Sequence, residues 1–255
     1  MQDAKAINTP VSDRNTLFEA KAEEHLTDQH RYQKLIGHIN WLAGRTRLDI
    51  QYLAGRLSQH CSTPAIRHWN AALRAVRYLI GTEDYAITYR AGEGAETKLQ
   101  GYCDADYAGD IDDRRSISGH IFFLGGGPVT WSSTKQRCVS TSTAEAEYIA
   151  LTDAAKQAVW IRGLLRELNL TEYLPPSLSV PIFSDNQACI AVAKDPVAHR
   201  RTKHFDIRYH YIRELVSSGK VSIDYISTTD MIADVLTKPL PLAAFRRCIQ
   251  GAYEL

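Results

Sequence analysis

Leu99-Gln-Gly-Tyr-Cys-Asp-Ala-Asp-Tyr107 is the stretch on which the fold turns. Its alternation has a period of two, which predicts a strand over 99–107 with Asp104 and Asp106 on one face. Aspartate is depleted in strands, so the pair needs a reason: an edge strand with solvated acids, a turn begun at Asp106, or a charged site at a strand end. Beyond it, 117–124 and 128–132 are also short and β-rich, and Gly125-Gly126-Gly127 between them reads as a hairpin turn. That glycine run is not a phosphate loop, because no helix opening with a Lys-Ser or Lys-Thr pair follows it.

Further along, the period changes to that of a helix. Ser142-Thr143-Ala144-Glu145 has capping-box spacing, and Leu151, Ala154, Ala158, Ile161 and Leu165 form the apolar stripe of a helix running to about Leu168. A strand over 180–184, a short helix over 186–194, a helix over 203–217, a strand over 220–226 and a helical turn over 229–237 complete the pattern. Three consecutive strands followed by alternating helices and strands predict an α/β fold with a mixed sheet, a meander extended by crossovers.

Before the first strand the chain is helical. Residues 1–30 are polar and aperiodic and read as a loosely attached lead-in. Tyr32, Leu35, Ile36, Ile39 and Leu42 keep helical spacing, and Ile50, Leu53, Ala54 and Leu57 repeat it. Thr63-Pro64 reads as the cap and first position of a third helix that stops at Gly81. Across 255 residues the formal net charge is +1, so a nucleic-acid partner would need a local basic patch rather than a global field. The five cysteines are scattered and never form C-x-x-C, which argues against a zinc cluster or disulfide framework and fits a reducing, intracellular setting. No apolar stretch approaches the roughly 20 residues of a membrane span, so no membrane partner is expected.

Four acids stand out by setting. Asp104 lies in the first strand, and Glu147 shares the helix face of Leu151, Ala154 and Ala158, where a carboxylate must find a partner or a cation. Glu145 is the capping glutamate of the same helix. Asp185 follows an apolar strand at its carboxyl end, where ligands of open α/β sheets collect, though it could equally cap the next helix. Asp234 sits in an apolar helical turn, either as a ligand or as an exposed position. Arg200, Arg201, Lys203, His204 and Arg208 form a local basic cluster, either a substrate contact or a solvated helix start.

Taken together, GYCDADYAGD (101–110), RRSISGHIFFLGGGPVTWSSTKQ (114–136), STSTAEAEYIAL (140–151), IFSDNQACIAVAKDP (182–196), RTKHFDIRYHYIREL (201–215) and ADVLTKPL (233–240) resemble the ribonuclease H domain of copia-type LTR retrotransposon polyproteins. Residues 31–92, including YQKLIGHINWLAGRTRLDI (32–50), resemble the segment joining the reverse-transcriptase palm to that domain. Arg47-Leu48-Asp49 departs from the usual Arg-Pro-Asp there.

The resemblance implies a ribonuclease H-like fold over 99–241 with a five-stranded mixed sheet and flanking helices, behind a helical module at 31–92 and before a tail at 242–255. It also implies a tetrad of Asp104, Glu147, Asp185 and Asp234 holding two Mg²⁺ ions, with Mn²⁺ as substitute, for hydrolysis of the RNA strand of an RNA/DNA hybrid. An all-carboxylate donor set suits such hard cations. Ser116, Ser118, Ser132, Lys135 and Gln136, with Arg200, Arg201, Lys203 and His204, are the expected contacts to the hybrid, read by its shape and phosphates.

Implied partners are the hybrid and the polymerase part of the same polyprotein, in a cytoplasmic virus-like particle or the nucleus. No Tyr-x-Asp-Asp occurs, so the polymerase palm site is missing from this sequence, and Ser227-Thr-Thr-Asp230 stands where many ribonucleases H carry a loop histidine. A transposase core would place its glutamate last, and an Asp-Glu-Asp-Asp exonuclease would want Asp-x-Glu on the first strand; neither order is present. The remaining alternative is a non-catalytic hybrid-binding or structural remnant.

Overall fold

A computed structural model describes residues 5–12, 17–18, 28–90, 97–194 and 206–253. Its centre is one sheet of β1 (Gln100–Asp106), β2 (Ile117–Leu124), β3 (Gly127–Lys135), β4 (Val180–Ser184) and β5 (Val221–Tyr225), in the spatial order β3-β2-β1-β4-β5. β2 runs antiparallel to β1 and β3, while β4 is parallel to β1 and β5, so the sheet is mixed as the pattern predicts. The meander closes through Gly125 and Gly126 at φ of 62° and 76°, a left-handed conformation that glycine adopts without a Cβ clash. The helices are α1 (Gln29–Ala43), α2 (Gln51–Ser58), α3 (Ile66–Ile80), α4 (Thr143–Glu167), α5 (Gln187–Lys194), α6 (Asp206–Ser217) and α7 (Leu242–Gln250).

The two faces of the sheet carry different layers. Cys103 and Phe122 face a core built with α4, α5 and α6, through Leu151, Ala158, Ile190 and Ile212. Ile117, Ile121 and Phe123 face a second core with α1 to α3, through Ile36, Ile39, Leu53 and Leu57. The helical module is therefore the cover of one sheet face. Trp131 of β3 fastens it, donating its indole N–H to Ala43 O at 2.8 Å.

Three expectations change. The lead-in is not wholly loose: Leu17 and Phe18 are buried, and the His68 ring accepts the Ala65 N–H at Nδ1 (3.1 Å) while donating from Nε2 to Phe18 O (2.8 Å). That same histidine explains why α3 starts at Ile66 and not at Pro64, since it satisfies the amide of the residue before the helix. The supposed tail contains α7, whose Phe245, Cys248 and Ile249 keep helical spacing and enter the second core.

A buried polar network ties that end to the module. Arg47 pairs with Asp49 through Nε–Oδ1 (3.1 Å) and Nη2–Oδ2 (2.7 Å), and Tyr78 and Tyr253 donate to the same carboxylate at 2.6 and 2.9 Å. Leu48, between Arg47 and Asp49, is fully buried.

Candidate metal centre

Strand register brings the first two acids together. β1 and β4 pair as Gly101 with Ile182 and Tyr102 with Phe183; carried on two residues, that register sets Asp104 beside Asp185, one residue past the end of β4. Glu147 comes from α4. Ala105 of β1 packs on Ala146 and Ala150, and these small side chains let the helix lie close over the strand. Ser142 caps α4 as expected, accepting the Glu145 N–H at 3.2 Å; the Glu145 carboxylate turns back to Thr141 N and Oγ1, both at 2.6 Å. Glu145 thus serves the start of α4 beside its cap Ser142, and Glu147 points inward.

Asp104, Glu147 and Asp185 each offer an oxygen within 4.8 Å of the others. Glu147 is 4% exposed, and its Oε2 has no hydrogen-bond partner. Burial, followed by the charges of Asp104 and Asp185, pushes its carboxyl up to about 9. A buried, unpartnered carboxyl aimed at two others is costly unless protonated or bound to a cation. The donor set is all carboxylate oxygen, which fits a hard divalent ion such as Mg²⁺.

Asp234 stands apart from that trio. It lies in a 3₁₀ turn, Ile232–Leu236, pressed against β2 at Gly119, the residue paired with Asp104. A Cβ at Gly119 would come within 2.7 Å of Thr237 Cγ2 and 3.2 Å of Ala233 O, so glycine there lets the turn reach the site. Burial and Asp104 push Asp234 up to about 7, against the pull of Lys238. Lys238 Nζ sits 2.9 Å from Asp234 Oδ1 and 3.6 Å from Asp104 Oδ2.

Two hydroxyls complete the surroundings. Thr237 donates to Asp104 Oδ2, and Thr228 donates to Asp185 Oδ2 at 2.8 Å. Thr228 belongs to the segment Ser227-Thr-Thr-Asp230 that follows β5. Sequence reading assigned no role to Thr228, Thr237 or Lys238; their nearest signal is that all three lie within nine residues of Asp234.

The expected hybrid contacts divide. Ser116, Ser118 and Gln136 are buried and engaged internally: Ser116 Oγ accepts from Ala108 N, and Gln136 Nε2 donates to Ser118 Oγ (2.8 Å) and Ala146 O (2.9 Å). Gln136 and Ser118 thus tie β2 to α4, while Ser116 holds Ala108 in the turn after β1. Lys135 is half-buried and ion-paired with Asp110 at 2.5 Å and Asp113 at 2.9 Å. Burial alone would push the Asp110 carboxyl up, but hydrogen bonds from Lys135 and Arg56 hold it down at about 2. Ser132 remains at the surface of β3, bonded to Thr134. Arg200, Arg201, Lys203 and His204 lie outside the described residues. All five cysteines are free, and among the described residues no helix is long and apolar enough to cross a membrane.

No family model matches the chain. It is 39% identical over 246 residues, 96% of its length, to the retrovirus-related Pol polyprotein from transposon RE2 of Arabidopsis thaliana. To the corresponding polyprotein from transposon TNT 1-94 of Nicotiana tabacum it is 36% identical over 255 residues. It spans 16% and 18% of those two proteins. Secreted RxLR effector protein 161 of Plasmopara viticola is 47% identical over 131 residues, 51% of this chain and 90% of that protein. Among solved structures, ribonuclease H1 from Halobacterium salinarum covers 55% of this chain and 94% of its own length, at 17% identity and a TM-score of 0.41.

The mixed five-stranded sheet with flanking helices, and its acids at the strand ends, is a ribonuclease H-like α/β fold. By its sequence the chain belongs to the Pol polyproteins of retrotransposons.

Proposed function

We propose that this chain is the ribonuclease H part of a copia-type Pol polyprotein, a divalent-metal-dependent endonuclease acting on the RNA strand of RNA/DNA hybrids. The observation that carries the reading is the buried Glu147 carboxyl, without a partner at Oε2 and facing Asp104 and Asp185 at the carboxyl ends of two parallel strands. When bound there, Mg²⁺ supplies an activated water and stabilises the charge of the leaving oxygen at phosphorus.

The chain's own residues hold and orient. Asp104, Glu147 and Asp185 supply the ligand oxygens, with Asp234 beside them as the fourth acid. The hydroxyls of Thr237 and Thr228 fix the carboxylates of Asp104 and Asp185 by hydrogen bonds, so that both are oriented before an ion arrives. Glu147 holds a proton in the ion-free chain and releases it on loading. Arg200, Arg201, Lys203 and His204 are proposed to take the phosphates of the hybrid. The polymerase part of the same polyprotein is the proposed partner, in a cytoplasmic virus-like particle or the nucleus.

A labelled RNA/DNA hybrid, incubated with Mg²⁺ and with chelator, tests the proposal. The expected result is cleavage of the RNA strand alone, abolished by chelator and by Asp104→Asn or Asp185→Asn with unchanged circular dichroism. If cleavage by the parent protein does not exceed that of the two variants at any Mg²⁺ concentration, the chain is a hybrid-binding or structural remnant.

A further inference from the structure

Two carboxyl oxygens of the acid cluster lack a hydrogen bond, Glu147 Oε2 and Asp234 Oδ1, and the second has a cation against it. The Lys238 ammonium stands 2.9 Å from Asp234 Oδ1 and 3.6 Å from Asp104 Oδ2. The base of that lysine is fixed, because Thr237 N and Lys238 N both donate to Asp234 O at 3.2 Å. Its side chain is 31% exposed, so the lysine is not sealed in the interior. Asp106, further along the strand of Asp104, adds to the negative field that holds it.

We propose that Lys238 is the resident counter-ion of the Asp104–Asp234 half of the centre. With Lys238 in place the chain takes one divalent ion, at Asp104, Glu147 and Asp185. A second ion settles between Asp104 and Asp234 only when the ammonium swings out, because two positive charges within a few ångströms repel each other as strongly as each is drawn to the carboxylates. Lys238 therefore sets how many ions are bound at a given concentration and separates the affinities of the two positions. This rests on the metal-centre reading under Proposed function.

Mn²⁺ binding to the full chain, followed by titration calorimetry at fixed ionic strength, tests it. The parent protein should show one tighter and one weaker site. Lys238→Met, which keeps the stem and removes the charge, should tighten the weaker site by about tenfold or more and leave the tighter one within about threefold, as expected for removing one unit charge at close range. Lys238→Arg should keep the parent pattern. Unchanged dissociation constants in Lys238→Met, or weakening of both, overturn the proposal. Should Lys238→Met fail to fold, Lys238→Gln carries the same comparison. Absence of saturable Mn²⁺ binding in the parent protein, or binding undiminished in Asp104→Asn, overturns the metal centre itself, a result distinct from normal binding that ignores Lys238.

Discussion

Replacing Glu147 by Gln should make the ion-free protein more stable. In the folded chain this carboxyl keeps its proton up to about 9, whereas an ordinary one ionises near 4.5. A group raised in this way contributes its stability fully below 4.5 and loses it as pH rises towards 9, because the unfolded chain sheds the proton first. At pH 7 the gap of about 2.5 units from 4.5 is worth at most about 3 kcal/mol. Asp104 and Asp185 share that cost, which leaves on the order of 1–3 kcal/mol to Glu147. Glutamine removes the ionisation, keeps the shape, and offers an amide donor to the neighbouring carboxylates.

Thermal melts in chelator at pH 7 should therefore place the variant about 2–12 °C above the parent, at roughly 2–4 °C per kcal/mol for a chain of this size. At pH 5 the difference should fall below about 1 kcal/mol, since the parent then gains little by staying protonated. Mg²⁺ should reverse the order. At about 100 times its dissociation constant it should stabilise the parent by roughly 2.7 kcal/mol and the variant by far less. A variant that melts at or below the parent in chelator at pH 7, or equal stabilisation of both by Mg²⁺, would refute the reasoning.

Three further outcomes are expected. Gly119→Ala should cost about 1–3 kcal/mol and reduce cleavage, because its Cβ would meet Thr237 Cγ2 at 2.7 Å and push the Asp234 turn off the strand; unaltered denaturation and cleavage would show the turn to be pliant. Asp49→Ala leaves Arg47 buried without its partner and should lower unfolding free energy by about 3–5 kcal/mol in a urea titration, against a small loss for Tyr253→Phe; equal small effects would mean that the network is open to water. Replacing Arg200, Arg201 and Lys203 by Ala should weaken hybrid binding without changing base preference and flatten the salt slope by about 0.7–0.9 for every phosphate no longer neutralised, and an unchanged slope would return the cluster to a solvated helix start.

Much of the architecture was legible because it is local. Alternation pointed to β1, β-rich composition between turn residues to β2, helical spacing to α1, α2 and α4, and the position of Glu147 relative to Leu151 and Ala154 separated it from Glu145. The grouping of Asp104, Glu147 and Asp185 was implied by the family resemblance, and the strand ends and inward helix face that carry them converge in the mixed sheet. Polarity alone does not place Ser116, Ser118 and Gln136. A hydroxyl or an amide looks the same in sequence whether it faces solvent or, as with Gln136 Nε2 between Ser118 Oγ and Ala146 O, ties β2 to α4 in the interior.

What the sequence by itself determined is the set of elements and the family, because periodicity, capping and motif order act over a few residues to a few tens. Tertiary structure alone decided that α1 to α3 and α7 share one core with a face of the sheet, and that Asp49 joins Arg47 to Tyr253 across 204 residues. It alone set Thr237 against Asp104, 133 residues away in sequence, and with it the Lys238 ammonium beside the same carboxylate. Those contacts depend on burial and on close approach at Gly119, and burial is a property of the packed chain that no local pattern encodes.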